Sequence, residues 1–152
     1  MVLSDGPSGT IALALNQHMN ITTGDIPELE DLDLGPRINH PIHWGGPSCP
    51  ESIWLLHNED WRSENTLAVG PGVRVSSDRE MLIELVQGQG PDPFRLMAGF
   101  MGWSGGELAE TLDRDWLVLP NPGLDWILEQ PVDDLWNTVT KLCVRATVDL
   151  WL

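Results

Sequence analysis

The chain predicts an α+β domain built on a strongly bent sheet, and three observations carry that prediction. Short apolar strand segments outnumber helices, strands and helices do not alternate as they would in a doubly wound fold, and the glycine and proline turns fall inside the strand-rich region. The 152 residues suit one domain spanning 1–152, with no internal repeat or low-complexity linker.

The elements follow in order. "TIALAL" (10–15) alternates and is entered through the turn "SDGPSG", which predicts a strand. "GDIPELEDL" (24–32) predicts a short helix capped by Asp25, with Glu28 completing a capping-box spacing. "DLGPRINHP" (33–41) is a loop, "IHW" leads into the turn "GGPSCP" (45–50), and "SIWLLH" (52–57) is a compact strand. "TLAV" and "VRVS" flank "GPG" (70–72) as a hairpin. "SSDREMLIELVQGQG" (76–90) is a helix with a Ser77–Glu80 capping box, an apolar face of Met81, Leu82, Leu85 and Val86, and Gly88 as its stop. "PFRLMAGFM" (93–101) and "WLVLP" (116–120) are strand-like. "PVDDLWNTVTKLC" (131–143) places Val132, Leu135, Trp136, Val139 and Leu142 on one stripe, with Pro131, Asp133 and Asp134 in the first turn, and predicts an amphipathic helix.

Charge narrows the function classes. Asp and Glu number 23 against 8 Lys and Arg, a formal charge of −15, and residues 1–36 hold no Lys or Arg. The seven arginines are scattered singly along the chain. A polyanion-binding face needs clustered cations to displace condensed counterions, so direct nucleic-acid binding is not expected. No apolar run approaches a membrane span, no positive segment precedes an apolar N-terminal run, and two cysteines make no disulfide framework, so a cytoplasmic protein is expected. The ten aromatics are eight Trp and two Phe, and the indole N–H groups place several at core edges or pocket walls.

The run "AGFMGWSGGELAETL" (98–112) invites three chemical readings. Glycines at 99, 102, 105 and 106 lack the leading G-x-G of a dinucleotide turn, and the only lysine, Lys141, lies outside it, which rules out a P-loop. Gly102, Ser104 and Gly106 have the spacing of a nucleophile elbow. Ser104 and Glu107 also form a capping box opening "GELAETLDR", and capping ties down the hydroxyl that attack would need free. The capping reading outweighs the nucleophile.

"GFMGWSGGELAETLDRDWLVLP" resembles the pattern G-Y-A-G-W-x-x-G-Q-L-E-x-E-L-x-x-x-x-W of the YqgE/AlgH family. "IHWGGPSCPESIWLLH" is similar to the family's aromatic-G-G-P turn and following strand that ends in His, "SSDREMLIELVQGQGPDPFRLMAGF" resembles its next helix, and "LALN" (13–16) resembles the Asn that ends its first shared strand. The motifs run in register from about residue 2 to about 143. The resemblance implies a mixed, branched sheet curled into a partial barrel with helices packed round it. It implies no catalytic residue and no cofactor, and some members are called transcriptional regulators. Against the family pattern, a further N-terminal apolar segment is missing, which would expose a sheet edge for pairing with another copy. The family's Asn-Arg-Pro is Asn16-Gln17-His18 here, and its Gln is Glu107, so any family site becomes more acidic.

Three constellations are candidates. His40, His43, Cys49 and His57 have the donor types of a zinc site, although turns intervene and a loop of surface histidines with a core-edge His57 is the plainer reading. Ser48 or Cys49 with His57 and Asp60, or Ser104 with His57, would make a hydrolase. Asn16, the Gly45-Gly46-Pro47 turn, Gly102, Trp103 and Glu107 could converge as a small-ligand pocket, although fold-defining joints are the plainer reading. The sequence thus points to a non-enzymatic binding or regulatory module acting through a protein partner or a small ligand, with indirect transcriptional regulation next and hydrolysis last.

Overall fold

A computed structural model of the chain describes residues 1–112, 116, 118, 119 and 127–149, the last six as backbone only. The strands are β1 (Val2–Gly6), β2 (Gly9–Ala12), β3 (His18–Thr22), β4 (Pro41–Trp44), β5 (Ser48–Asn58), β6 (Thr66–Gly70), β7 (Val73–Ser76) and β8 (Phe94–Trp103). The helices are α1 (Pro27–Glu30), α2 (Arg79–Val86), α3 (Glu107–Thr111) and α4 (Val132–Asp149). None of the described helices is long and apolar enough to cross a membrane.

The sheet runs β1-β2-β8-β5-β7-β6, and its two end strands, β1 and β6, curl back beside each other into a nearly closed barrel. β8 is the spine. β5 pairs antiparallel with it from Phe94 to Phe100, β4 lies parallel to it along Leu96–Ala98, and β2 takes over along Met101–Trp103. β3 then pairs with β4, which makes the sheet mixed and branched.

Glycines make this branch. Gly45 donates to the Ala98 carbonyl at 2.7 Å and accepts from the Ala14 amide at 2.8 Å, so one residue holds three strands. A Cβ on Gly46 would stand 2.1 Å from the Phe100 carbonyl carbon, and one on Gly99 (φ +69°) would stand 2.3 Å from the Gly46 oxygen. Backbones this close admit no side chain.

Both faces of β5 and β8 are buried, which is why "SIWLLH" and "FRLMAGF" read as apolar runs. Leu56, Val73, Val75, Met97 and Leu13 form one core cluster, closed by Ile127 and Leu128. Leu55, Ile42, Leu96 and Ala98 form a second on the other face, covered by Met81 and Leu85 of α2.

Several local expectations shift. The first turn after β3 is capped by Thr22 with Asp25 in a capping box, one turn earlier than the Asp25–Glu28 pairing, because Pro27 starts α1. Asp78, not Ser77, caps α2 by accepting from the Met81 amide at 2.8 Å. Gly88 (φ +77°) follows α2 as its stop. α3 is capped by Gly106 in the left-handed region without a side-chain bond, while Glu107 reaches back to the Ser104 amide at 2.8 Å. Half of the Ser104–Glu107 box is therefore built. α4 continues past residue 143, burying Val132, Leu135 and Cys143 but leaving Trp136 67% exposed. Of the strand expected over 116–120, residues 116, 118 and 119 are not in a strand, and 117 and 120 lie outside the described residues.

Candidate functional site

The β1–β2 hairpin, the start of β5 and the end of β8 border an open depression of about 510 Å³. Register explains how it forms. Ser4, Ile11 and Gly102 stand side by side across β1, β2 and β8, and Asp5, Thr10 and Trp103 form the next row. Gly102 leaves the floor low, since a Cβ there would lie 3.3 Å from the Phe100 ring and 3.9 Å from Ser48 Oγ. Ser8 and Gly9 on one side, and Trp103, Ser104 and Glu107 on the other, make the walls.

The chemistry of this lining is one-sided. Its described residues carry five hydroxyl side chains (Ser4, Ser8, Thr10, Ser48, Ser104), one carboxylate (Glu107) and two aromatic rings (Phe100, Trp103), with no Lys, Arg or His among them. Thr10 is buried and donates its hydroxyl to Asp5 across the hairpin. Glu107 is exposed and held by the Ser104 amide. Such a surface offers donors and acceptors but no positive charge for an anion.

Gly102, Trp103 and Glu107 thus lie together in the depression. Gly45 and Gly46 are buried in the branch, with the Gly45 amide already bonded, Pro47 is exposed beside them, and Asn16 is exposed in the turn before β3. None of these four lines the depression, although Gly46 packs against Phe100 and Pro47 precedes Ser48 at its border. Ser4, Ser8 and Thr10 went unnoticed in the sequence, and Ser48 was weighed only as a nucleophile, because hydroxyl residues near turns read as loop formers until strand register sets them side by side.

The metal and hydrolase candidates do not converge. His57 is fully buried at the far end of β5, bonded through Nδ1 to the Asn58 carbonyl at 2.6 Å and through Nε2 to Ser76 Oγ at 2.9 Å. Ser48 opens the same strand nine positions earlier, up to roughly 30 Å away along extended chain. Ser104 follows the last residue of β8, whereas His57 faces the first, Phe94. His40 bonds the Leu85 carbonyl at 3.3 Å, His43 stands beside His18 with ring centres 5.8 Å apart, and Cys49 is exposed at φ +44°. Among the described residues no three His, Cys, Asp or Glu side chains are grouped to hold a metal.

Burial pushes the His57 imidazole below its ordinary value, with the Arg74 charge adding to this against the Asn58 carbonyl bond. Burial does the same to His43, assisted by Arg95 and His18. Desolvation also lowers Arg95, which donates through Nε to Ile127 O at 3.0 Å and through Nη2 to Gln130 O at 2.6 Å, tying β8 to the segment before α4. Two buried side-chain nitrogens, His43 Nδ1 and Trp54 Nε1, meet no partner.

The chain was compared with known families, sequences and structures. A family model described as AlgH-like matches residues 1–146. A UPF0301 protein of Marinomonas sp. is 36% identical over 142 residues, covering 89% of this chain and 73% of that protein. A UPF0301 protein of Saccharophagus degradans is 32% identical over 135 residues, covering 88% and 66%. The solution structure of the AlgH protein from Pseudomonas aeruginosa has the same fold, with a TM-score of 0.73 at 22% identity over 93% of this chain and 76% of that one. A crystal structure of a Corynebacterium diphtheriae protein gives a TM-score of 0.70 at 18% identity. The sequence match and the shared branched barrel together make this chain a member of the AlgH-like family.

Proposed function

We propose that the protein is a non-enzymatic, cytoplasmic binding module that seats a small uncharged or cationic ligand in the depression at the end of β8. One observation carries this reading: residues bearing five hydroxyls, two aromatic rings and a carboxylate line one open space, and no cation lines it among the described residues. Concave sites with a few polar groups against aromatic walls are where small ligands bind. Support also comes from the dispersal of every nucleophile and base considered above, which leaves no pair within reach of one substrate atom.

The test is amide and indole shift mapping with the low-molecular-weight fraction of a bacterial extract, freed of anions by exchange resin. Perturbations should gather on Thr10, Trp103, Ser104 and Glu107 and vanish in Gly102→Val, whose side chain fills the floor. Perturbations gathered elsewhere, or unchanged in that variant, would contradict the reading.

A further inference from the structure

We infer that the ligand of this depression is a neutral polyhydroxylated molecule of the saccharide class, an inference that rests on the depression being the binding site. The argument is one of matching. A serine hydroxyl donates one hydrogen bond and accepts others, and so does each hydroxyl of a sugar, so an array of such groups pairs without leaving either side unsatisfied. Ser4, Ser8, Ser48 and Ser104 supply that array here. Thr10 is excluded from it because its hydroxyl is already spent on Asp5.

Glu107 adds direction. One of its oxygens, Oε2, is held by the Ser104 amide at 2.8 Å, which orients the carboxylate at the wall as an acceptor for ligand O–H groups. Hydrogen bonds to an ionised acceptor are stronger than neutral ones. Trp103 and Phe100 contribute apolar ring surface, which suits the C–H faces of a sugar ring.

Two other classes fit less well. A phosphate or carboxylate ligand would meet Glu107 and, among the described residues, no Lys, Arg or His. A polyamine would find a single carboxylate among five hydroxyls, so most of its ammonium groups would lack an anionic partner.

The experiment titrates isotope-labelled protein with D-glucose, N-acetyl-D-glucosamine, spermidine and ATP, following the Trp103 indole and the Ser104 and Glu107 amides. The expected result is saturable movement of these signals with at least one of the two saccharides at millimolar concentration, and none with ATP. Trp103→Ala should weaken the saccharide roughly five- to tenfold through loss of the ring. Because Trp103 also belongs to β8, Glu107→Gln serves as a second variant on an exposed side chain. It should weaken the saccharide a few-fold and leave the melting temperature unchanged. If spermidine or ATP moves these signals and neither saccharide does, the saccharide class is overturned while the depression stands as the site. If none of the four moves them, the saccharide inference is overturned, and the extract titration with Gly102→Val decides separately whether the depression binds anything.

Discussion

His57 Nε2 stands 2.9 Å from Ser76 Oγ, and that bond joins the family-signature histidine to a buried polar chain. The Asn58 carbonyl can only accept, so Nδ1 carries the proton and Nε2 accepts from Ser76. Ser76 Oγ, its own proton given to Nε2, accepts from Thr66 Oγ1 at 2.7 Å, Thr66 Oγ1 accepts from the Ser63 amide at 2.8 Å, and the Ser63 hydroxyl donates to Asp78 at the head of α2. The imidazole also meets Trp61 edge-on, with ring centres 5.0 Å apart. The histidine is thus a structural member that locks β5, β7 and α2 together.

This predicts how stability responds to pH. Burial favours neutral His57 in the folded chain, while the unfolded chain titrates near about 6.5. Below that pH the unfolded state binds the extra proton, so stability is complete above about 6.5 and declines as pH falls toward the lowered folded value. His43 adds a slope of the same sign. Urea unfolding at stepped pH should show the decline, and His57→Gln should flatten it while costing about 1–3 kcal/mol at neutral pH. A wild-type stability that rises on acidification would contradict this.

Asp78 and Ser77 separate what the structure assigns from what sequence spacing suggests. Asp78 accepts from the Met81 amide, the Asn65 amide and the Ser63 hydroxyl, whereas Ser77 is exposed. Asp78→Ala should cost about 1–2 kcal/mol in chemical denaturation, and Ser77→Ala should stay within about 0.5 kcal/mol.

The glycines divide in the same way. Gly46→Ala sets a Cβ 2.1 Å from strand backbone, so it should cost about 3 kcal/mol or more, or prevent folding. Gly70→Ala, with nothing within 4 Å of the added atom, should lie within about 0.5 kcal/mol of the parent. Thermal melts of the two purified variants decide it.

Trp54 carries the opposite expectation to most core aromatics. Its Nε1 is buried without an acceptor, whereas Trp61 Nε1 donates to Glu84 at 3.2 Å. Trp54→Phe keeps a ring against Phe100 and removes an unpaired donor that costs about 1–3 kcal/mol, so the loss should be less than about 1 kcal/mol. A loss several times larger would show that the indole is bonded in solution.

These contrasts show what the sequence could convey. Most strand and helix positions were legible because apolar runs and caps are local signals, and the hairpin at Gly70–Gly72 appears where "GPG" places it, whereas the polar strands β1 and β3 carried no apolar run to announce them. The choice between Ser77 and Asp78 was not, since both have capping side chains and only the chain's path selects one. The signature glycines read equally as ligand turns or joints. Distances below 2.5 Å to neighbouring backbone identify Gly45, Gly46 and Gly99 as joints, while a Cβ on Gly102 would meet only side chains, the Phe100 ring at 3.3 Å and Ser48 Oγ at 3.9 Å. The depression itself was only half visible, through Gly102, Trp103 and Glu107. Ser4 and Ser48, 44 positions apart in the chain, meet only through the pairing of β1, β2, β8 and β5.

The charge argument also yields a check. With a net charge of −15 and scattered arginines, the protein should not be retained on immobilised duplex DNA even at low salt. Retention that weakens steeply as salt rises would require a clustered cationic face, and so overturn the expectation.

The most direct test of the central claim, that the depression at the end of β8 is the binding site, is native mass spectrometry of gently purified wild type beside Gly102→Val. The account predicts extra small-molecule mass on the 16.9 kDa wild-type chain and none on the variant, with both cooperatively folded. Equal extra mass on both proteins would place the ligand elsewhere and contradict it.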